Sequence, residues 1–417
     1  MMRENKKMEA RLSEYARLVV RTGVNLRVGQ PLVVNAPIEC ADFARRIARE
    51  AYGSGAKDVT IVWNDEKFSR LRFEMASEES LGNYPDWRRR LYMDNAMDDA
   101  AIVSIHAEDP EAFLGVAPER LAAAQQAAGE ALLDYRARIM SNKNAWCVLS
   151  VPTEAWARKI FADKSNAEAV DALWETIFST VRVTGDGGAE ARWKEQTDFL
   201  RLASDFMNDK AFVSLHYSNE YGTDLTIHLP EGHIWAGGAE ETQSGRVFVA
   251  NLPTEEIYTL PHREGVDGVV VATKPLIFHG NLITGIRLRF EAGKVVSYEA
   301  DKGKAHLSKL IETDEGSARL GEVALVPYDS PISKSGILFY NTLFDENASC
   351  HLALGKAYPT CLNGGADMDT LTLLSHGVND SLLHEDFMVG SRELSITGRT
   401  KDGKEIPVLK NGNFVEF

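Results

Sequence analysis

Three clusters of acidic and imidazole side chains beyond residue 250 contain the residue types that bind divalent metal ions. In the segment NLPTEEIYTLP, Glu255 and Glu256 are adjacent within an otherwise apolar stretch. Either this pair forms a solvated turn between strands, or it contributes to an acidic site. In LGEVALVPYDSP, Glu322 interrupts a run that is typical of a buried strand. A buried carboxylate costs several kcal/mol unless it is paired or binds a cation, so Glu322 requires a partner.

The third cluster lies in NTLFDENASCHLALGKAY and NDSLLHEDFMVG. His384 and Asp386 are separated by one residue, so both side chains project from the same face of an extended strand, a spacing suited to chelation. His351 and Tyr358 lie two helical turns apart and share a face if the segment between them is helical, an interpretation that Gly355 weakens. The H-x-D pattern alone is common by chance, and it gains weight from the other clusters.

The chemistry of these side chains favours a hydrolytic metal centre. Oxygen and nitrogen donors without thiolate suit Zn, Mn, Co or Mg. Two divalent cations carry +4, three carboxylates carry −3, and a bridging hydroxide supplies the remaining −1. This balance predicts a centre of two ions about 3.5 to 4 Å apart. The candidate ligands are Glu256, Glu322, Asp386, His351 and His384, with the phenol of Tyr358 nearby.

The first half of the chain alternates helical and extended patterns. This rhythm predicts an α/β fold with a small parallel sheet and helices on both faces. The predicted helices are Met8–Arg21, Ala41–Tyr52 and Pro118–Arg138, and the predicted strands are Pro31–Asn35, Val59–Trp63, Ala101–His106 and Trp146–Val151.

The pattern of residue types changes after the predicted helix Trp193–Met207. Short β-branched and aromatic runs, such as Leu282–Phe290 and Lys294–Glu299, alternate with turn residues. We therefore expect an α/β domain over residues 1–190 and a mostly antiparallel, β-rich, metal-binding catalytic domain over residues 191–417.

Composition and motifs exclude several classes of partner. The chain has 46 Lys+Arg against 61 Asp+Glu and a formal net charge of −15, which disfavours nucleic acid and anionic membranes. No glycine-rich dinucleotide fingerprint or phosphate loop occurs, and the glycines of TGDGGAE are interpreted as a turn. We therefore expect no nucleotide cofactor.

The same features indicate a compartment. The four cysteines are scattered without C-x-x-C pairing, which fits a reducing environment. The charged N-terminal segment does not look like a signal peptide, and no apolar run is long enough to span a bilayer. We expect a soluble cytoplasmic protein.

Six motifs together resemble the M29 family of metallo-aminopeptidases, the aminopeptidase T and aminopeptidase S group. They appear in family order over roughly residues 210–390, and the overall length is similar. The motifs are GTDLT, NLPTEE, LGEVALV, TLFDENA, H-x-A-x-G-x-x-Y and N-x-S-x-x-H-x-D-x-M.

This resemblance implies both a ligand set and an assembly. It implies an N-terminal α/β domain, a β-rich catalytic domain and a homodimer whose enclosed active sites admit only short peptides. Carried onto this sequence, the residues that bind two divalent metals are Glu256, Glu322, His351, His384 and Asp386, with Tyr358 at the metal edge.

The predicted reaction is the release of an N-terminal residue from a short peptide by attack of metal-activated hydroxide. Glu255 is our candidate for the general base, unless strand alternation points its side chain away from Glu256. Tyr358 is a weak metal ligand or a donor to the tetrahedral oxyanion. Asp345 and Glu346 either orient His351 or cap a turn.

Two other functions stay open. A mononuclear Fe(II) ring-cleaving dioxygenase on the same fold could use H-x-D and a distant histidine, although a single iron does not require Glu256 and Glu322. A non-catalytic binding protein could use the parallel sheet of the first half.

Overall fold

The first half of the chain folds as alternating strands and helices and the second half mainly as antiparallel strands, which confirms the predicted fold class. The computed structural model describes residues 2–278 and 281–417. The chain divides into two units. The first unit comprises Met1–Glu195, Ala239–Pro253 and Phe339–Leu343, and the second comprises Gln196–Gly238, Thr254–Leu338 and Phe344–Phe417.

The α-helices vary from one turn to six. Within the described ranges, none is long and apolar enough to cross a membrane. The helices are α1 (Met2–Leu18), α2 (Ala41–Gly53), α3 (Glu66–Met75), α4 (Glu78–Leu81), α5 (Asp86–Met97), α6 (Pro118–Ala131), α7 (Leu133–Met140), α8 (Glu154–Ile160), α9 (Asn166–Thr180), α10 (Ala189–Lys210), α11 (Lys304–Ile311), α12 (Pro331–Ser335), α13 (Thr342–Asp345) and α14 (Thr370–Ser375).

The strands are short. They are β1 (Leu32–Pro37), β2 (Val59–Asn64), β3 (Ala101–Ile105), β4 (Trp146–Leu149), β5 (Ser214–Ser218), β6 (Asp224–His228), β7 (Ala236–Gly237), β8 (Glu240–Glu241), β9 (Val247–Phe248), β10 (Asn251–Leu252), β11 (Ile257–Thr259), β12 (Val266–Val271), β13 (Leu276–Phe278), β14 (Asn281–Ile283), β15 (Arg287–Glu291), β16 (Lys294–Glu299), β17 (Leu320–Leu325), β18 (His351–Gly355), β19 (His384–Met388), β20 (Ser395–Arg399), β21 (Glu405–Lys410) and β22 (Asn413–Phe414).

The first unit is built on a parallel sheet in the order β10-β4-β3-β1-β2. Apolar side chains of β1 and β3, such as Val34 and Val103, are fully buried, as expected for parallel strands between helical layers. Helix α2 buries Phe43, Ala44, Ile47 and Ala51, which recur at helical spacing along one face.

The second unit contains two large antiparallel sheets and the two-stranded sheet β13-β14. The larger has the order β16-β15-β12-β6-β5-β20-β21-β22, and the smaller has the order β19-β18-β17-β11-β7. Phe212, Tyr217, Phe290 and Leu352 are among the fully buried residues of the shared core. All six residues of β17 are buried, which confirms the buried strand predicted around Glu322.

Two local predictions are wrong, and both errors occur at glycines. The predicted strand Leu282–Phe290 is interrupted between β14 and β15, where Gly285 has φ +64°. The helical interpretation between His351 and Tyr358 is also wrong, because this segment contains β18. Every residue of β18 is buried, so the strand lacks the polar–apolar alternation that would have identified it.

Candidate metal centre

Three neighbouring strands bring four of the predicted ligands to one face of the smaller sheet. In the antiparallel register, Glu322 pairs with Ala353 and Ala353 pairs with Asp386. Side chains directly opposite each other share a face, so the two carboxylates lie on either side of a small alanine. His351 and His384 precede Ala353 and Asp386 by two residues, and the period of two puts both imidazoles on that same face.

The fifth predicted ligand reaches the centre from the next strand. Glu256 immediately precedes β11, and Ile257 of β11 pairs with Leu325 of β17. His351 Nε2 lies 3.5 Å from Glu256 Oε2 and 4.0 Å from Asp386 Oδ1. His384 Nε2 lies 2.9 Å from Glu322 Oε2 and 3.5 Å from Asp386 Oδ1. All five side chains are therefore linked by short contacts between potential ligand atoms.

The donor atoms fit a metal ion. One ligand atom each from Glu322, His384 and Asp386 lie within 4.8 Å of one another. Glu256 Oε2 and Asp386 Oδ1 are buried without a hydrogen-bond partner. A buried anionic oxygen without a donor is costly, and a divalent cation would satisfy both oxygens.

Backbone carbonyls orient the two imidazoles. His351 Nδ1 lies 3.1 Å from the carbonyl oxygen of Ser349, and His384 Nδ1 lies 2.7 Å from that of Lys356. A proton on each Nδ1 would leave both Nε2 atoms unprotonated toward the carboxylates, which is the usual arrangement of a metal-binding histidine. The contact partner of His351 Nδ1 is thus a main-chain oxygen, where the sequence suggested Asp345 or Glu346.

The electrostatics of the cluster reflect crowded buried acids. Burial raises the pKa of Glu256 to about 7; the charge of His351 opposes this rise, and the nearby carboxylates of Glu322 and Asp386 add to it. Burial lowers the pKa of His384, but its close contacts with the carboxylates of Asp386 and Glu322 outweigh that effect and raise the pKa to about 11. A buried cluster of this charge must bind either protons or cations.

Tyr358 follows β18 and lies beside the cluster. Its ring centroid is 4.9 Å from that of His384 and 6.2 Å from that of Tyr258. Burial, followed by the charges of Glu322 and Asp386, raises the pKa of the Tyr358 phenol. The phenol therefore stays protonated at neutral pH and can donate a hydrogen bond.

Glu255 is buried like its neighbour, so the interpretation of this pair as a solvated turn is wrong. Only 1 % of Glu255 and 8 % of Glu256 are exposed. Gln196 Nε2 donates a hydrogen bond to Glu255 Oε2 at 3.0 Å, and the Glu255 backbone N–H donates to Asn347 Oδ1 at 2.7 Å.

Glu346, which the sequence suggested either as a group that orients His351 or as a turn cap, is a further acid of this site. Burial holds the pKa of Glu346 well above its ordinary value, and the carboxylates of Glu256 and Asp386 add to this effect. Glu346 therefore lies within electrostatic reach of the proposed ligands. The only signal in the sequence was its place in the TLFDENA motif, which gave no indication of burial.

Comparisons with known proteins agree with this chemistry. A family model described as thermophilic metalloprotease (M29) matches residues 8–414. The chain is 48 % identical to aminopeptidase 2 of Geobacillus stearothermophilus and 47 % identical to aminopeptidase AmpS of Bacillus subtilis, in each case over 97 % of this chain and 98 % of the relative.

Solved structures give the same result for the fold. AmpT from Thermus thermophilus superposes with a TM-score of 0.92 at 39 % identity, covering 98 % of this chain and 100 % of that chain. A 2,5-dihydroxypyridine dioxygenase from Pseudomonas putida superposes with a TM-score of 0.53 at 12 % identity, covering 97 % of this chain and 96 % of that chain, a likeness of fold alone.

Proposed function

The chain belongs to the M29 family of metallopeptidases and is a peptide hydrolase, and from this premise we propose that it releases N-terminal residues from short peptides. The proposal rests on the cluster of Glu322, His384 and Asp386 on one face of a buried sheet. His351 contacts both Asp386 and Glu256 and so joins Glu256 to this cluster. The relatives named aminopeptidase support the same reaction.

We propose that these five side chains hold two divalent cations, with Tyr358 at the edge of the pair. Three carboxylates and two imidazoles suit Zn, Co, Mn or Mg. The carboxylate oxygens without a hydrogen-bond partner favour bound cations over protonation of the acids. When bound, two such cations would supply Lewis acidity for the scissile carbonyl and for the attacking water.

The remaining steps are assigned to side chains of the site. Glu255 accepts the proton of the attacking water and passes it to the leaving amine, while the hydrogen bond from Gln196 holds its carboxylate. Tyr358 donates its phenolic hydrogen to the oxyanion of the tetrahedral species. Burial of the site strengthens both interactions, because water competes less for these groups.

We further propose a homodimer in the cytoplasm that acts on short peptides. The resemblance of the six motifs supports the homodimer and the short substrates. All four cysteines are buried and none is part of a disulfide, which supports a reducing compartment.

The dioxygenase alternative is less well supported. The match to the dihydroxypyridine dioxygenase concerns the fold only. A single iron bound by two histidines and one carboxylate would leave Glu256 and Glu322 without a role in a buried site.

The test is metal analysis coupled to hydrolysis of an aminoacyl-nitroanilide before and after chelation. We expect two divalent ions per chain, loss of hydrolysis on chelation, and recovery on addition of Zn²⁺, Co²⁺ or Mn²⁺. One iron per chain, with O₂ consumption and no hydrolysis, would instead support the dioxygenase.

A matched pair of variants makes this test specific. Glu322→Gln removes one proposed ligand charge, and we expect kcat/KM to fall more than about a hundredfold together with the metal content. Glu385→Gln is the control, because Glu385 lies between His384 and Asp386 on β19 and points to the opposite face. Equal effects of the two substitutions would contradict the assignment.

A further inference from the structure

The first unit contains a cavity of about 980 Å³ that the proposed reaction does not use. Its floor is one face of the parallel sheet, where Asn35, Ser104 and Val148 of three strands lie side by side. Its walls come from the helical segments between β2 and β4. Among the described residues, no side chain of helices α3, α6 or α7 is buried. These helices therefore do not pack tightly onto this face of the sheet, and the face stays accessible.

The walls contain several aromatic side chains. Pockets that bind small molecules have volumes of about 300 to 1,000 Å³ and combine apolar walls with a few placed polar groups. Aromatic rings supply flat faces for stacking at little cost in conformational entropy. The aromatic lining comprises Trp63, Phe68, Phe73, Tyr84, Trp87, Tyr92, Tyr135 and Trp146.

The arginines of the cavity differ from their neighbours on the same helices. On α3 and α5, the arginines outside the cavity pair with carboxylates: Arg70 Nε with Glu74 at 2.8 Å, and Arg89 Nη2 and Arg90 Nε with Asp86 at 2.8 and 3.1 Å. The arginines that line the cavity are Arg72, Arg88 and Arg136, and within residues 2–278 and 281–417 none of these three forms an ion pair.

Two of these guanidinium groups, those of Arg88 and Arg136, line the cavity together with the phenol of Tyr84. Burial raises the pKa of Tyr84, and Arg88 and Arg136 both oppose that rise, so both cations lie near the same phenol. The Arg88 guanidinium carbon lies 5.2 Å from the centroid of the Trp87 ring. The carboxylates of Asp65 and Glu108 also line the cavity, so its three arginines exceed its acids by one charge. In a chain of net charge −15, an aromatic cavity with two arginines that form no ion pair is a local site for an anion.

The floor offers one more unused group. Asn35 Nδ2 donates to Ser104 Oγ at 3.3 Å, while Asn35 Oδ1 is buried without a hydrogen-bond partner. A buried acceptor without a donor is costly, and a donor on a ligand would remove this cost. The cavity thus presents an aromatic wall, a cationic edge and an acceptor on its floor.

We propose that this cavity binds a small aromatic carboxylate. The aromatic ring lies against the tryptophan and tyrosine side chains, and the carboxylate accepts hydrogen bonds from Arg88 and Arg136. A donor on the ligand, such as an indole N–H, contacts Asn35 Oδ1. This site is separate from the metal centre, and the proposal does not depend on the proposed peptidase activity.

The experiment measures binding of three isosteric probes to the full chain by calorimetry. Indole-3-acetate is the anion, indole-3-acetamide is the neutral analogue and tryptamine is the cation. We expect indole-3-acetate to bind at least about tenfold more tightly than the amide, as one charge-assisted contact requires, and tryptamine to bind most weakly.

A pair of double variants locates the site. Arg88→Gln/Arg136→Gln removes the preference for the anion and leaves the affinity for indole-3-acetamide unchanged. Arg89→Gln/Arg90→Gln, which alters the paired arginines of α5, keeps the preference. Absence of saturable indole-3-acetate binding, equal affinity for the anion and the amine, or unchanged anion affinity in Arg88→Gln/Arg136→Gln would each overturn the proposal.

Discussion

At the scale of single residues, Tyr358 has the most defined expected role. Its phenol is beside His384, and its raised pKa keeps it protonated at neutral pH. We expect Tyr358→Phe to lower kcat on the order of a hundredfold while both metal ions stay bound, because the variant loses only a donor to the oxyanion. Steady-state kinetics with metal analysis check this. Unchanged turnover would remove Tyr358 from the mechanism.

The identity of the general base is a second question at this scale. Glu255 is a buried acid next to Glu256, and Glu346 is a half-buried acid whose pKa the Glu256 carboxylate helps to raise. If Glu255 is the base, Glu255→Gln lowers kcat by two to four orders of magnitude, a range typical of a lost proton transfer, with metal retained. We expect the matched variant Glu346→Gln to keep more activity. If Glu346→Gln instead loses more activity than Glu255→Gln, Glu346 is the general base.

The stability of the metal-free protein should depend on pH in a defined direction. The folded state raises the pKa of Glu256 to about 7 and that of His384 to about 11. Both groups bind a proton more tightly when folded, so their contribution to stability is lost as pH rises, from 4.5 to about 7 for Glu256 and from 6.5 to about 11 for His384.

We therefore expect the Tm of the chelated protein to fall over this pH range, and bound Zn²⁺ to remove most of the fall. Differential scanning calorimetry with and without metal measures the effect. Glu256→Gln is the control, since it removes one titrating group and should flatten the lower part of the curve. A metal-free Tm that rises with pH would contradict this electrostatic account.

At the scale of elements, β18 depends on one glycine. Gly355 has φ +105°, and a Cβ there would lie 2.2 Å from the Leu383 carbonyl oxygen. We expect Gly355→Ala to destabilise the protein by more than about 2 kcal/mol, through backbone strain and the close approach of β19. Gly336→Ala is the control, because Gly336 has φ +65° with no atom within 4 Å of its Cβ. If both substitutions lower the Tm equally, backbone strain at positive φ accounts for the whole effect and the contact with the Leu383 carbonyl contributes nothing.

The sequence predicted the elements of the site unequally. The H-x-D spacing identified the ligand face of β19, and the apolar run around Glu322 identified β17, since both depend on local periodicity. Strand β18 was not predicted, because it is buried throughout and its ligand His351 is spaced like a helical residue relative to Tyr358. Local patterns cannot distinguish such a strand from a buried helix.

At the scale of the whole chain, the sequence predicted the α/β and β-rich halves but not their strand order. The parallel sheet recruits β10 from beyond residue 250, and the smaller sheet places β11 between β7 and β17. These pairings join distant segments, and no local signal encodes them. The five predicted ligands nevertheless lie close together, because charge balance and family motifs both restrict which distant acids can converge.

The central claim is that Glu256, Glu322, His351, His384 and Asp386 together hold two cations. The most direct measurement is anomalous diffraction from crystals grown with excess Zn²⁺. We predict two peaks about 3.5 to 4 Å apart, each within about 2.3 Å of oxygen or nitrogen atoms of these side chains. A single peak, or peaks that neither Glu322 nor Asp386 contacts, would contradict the claim.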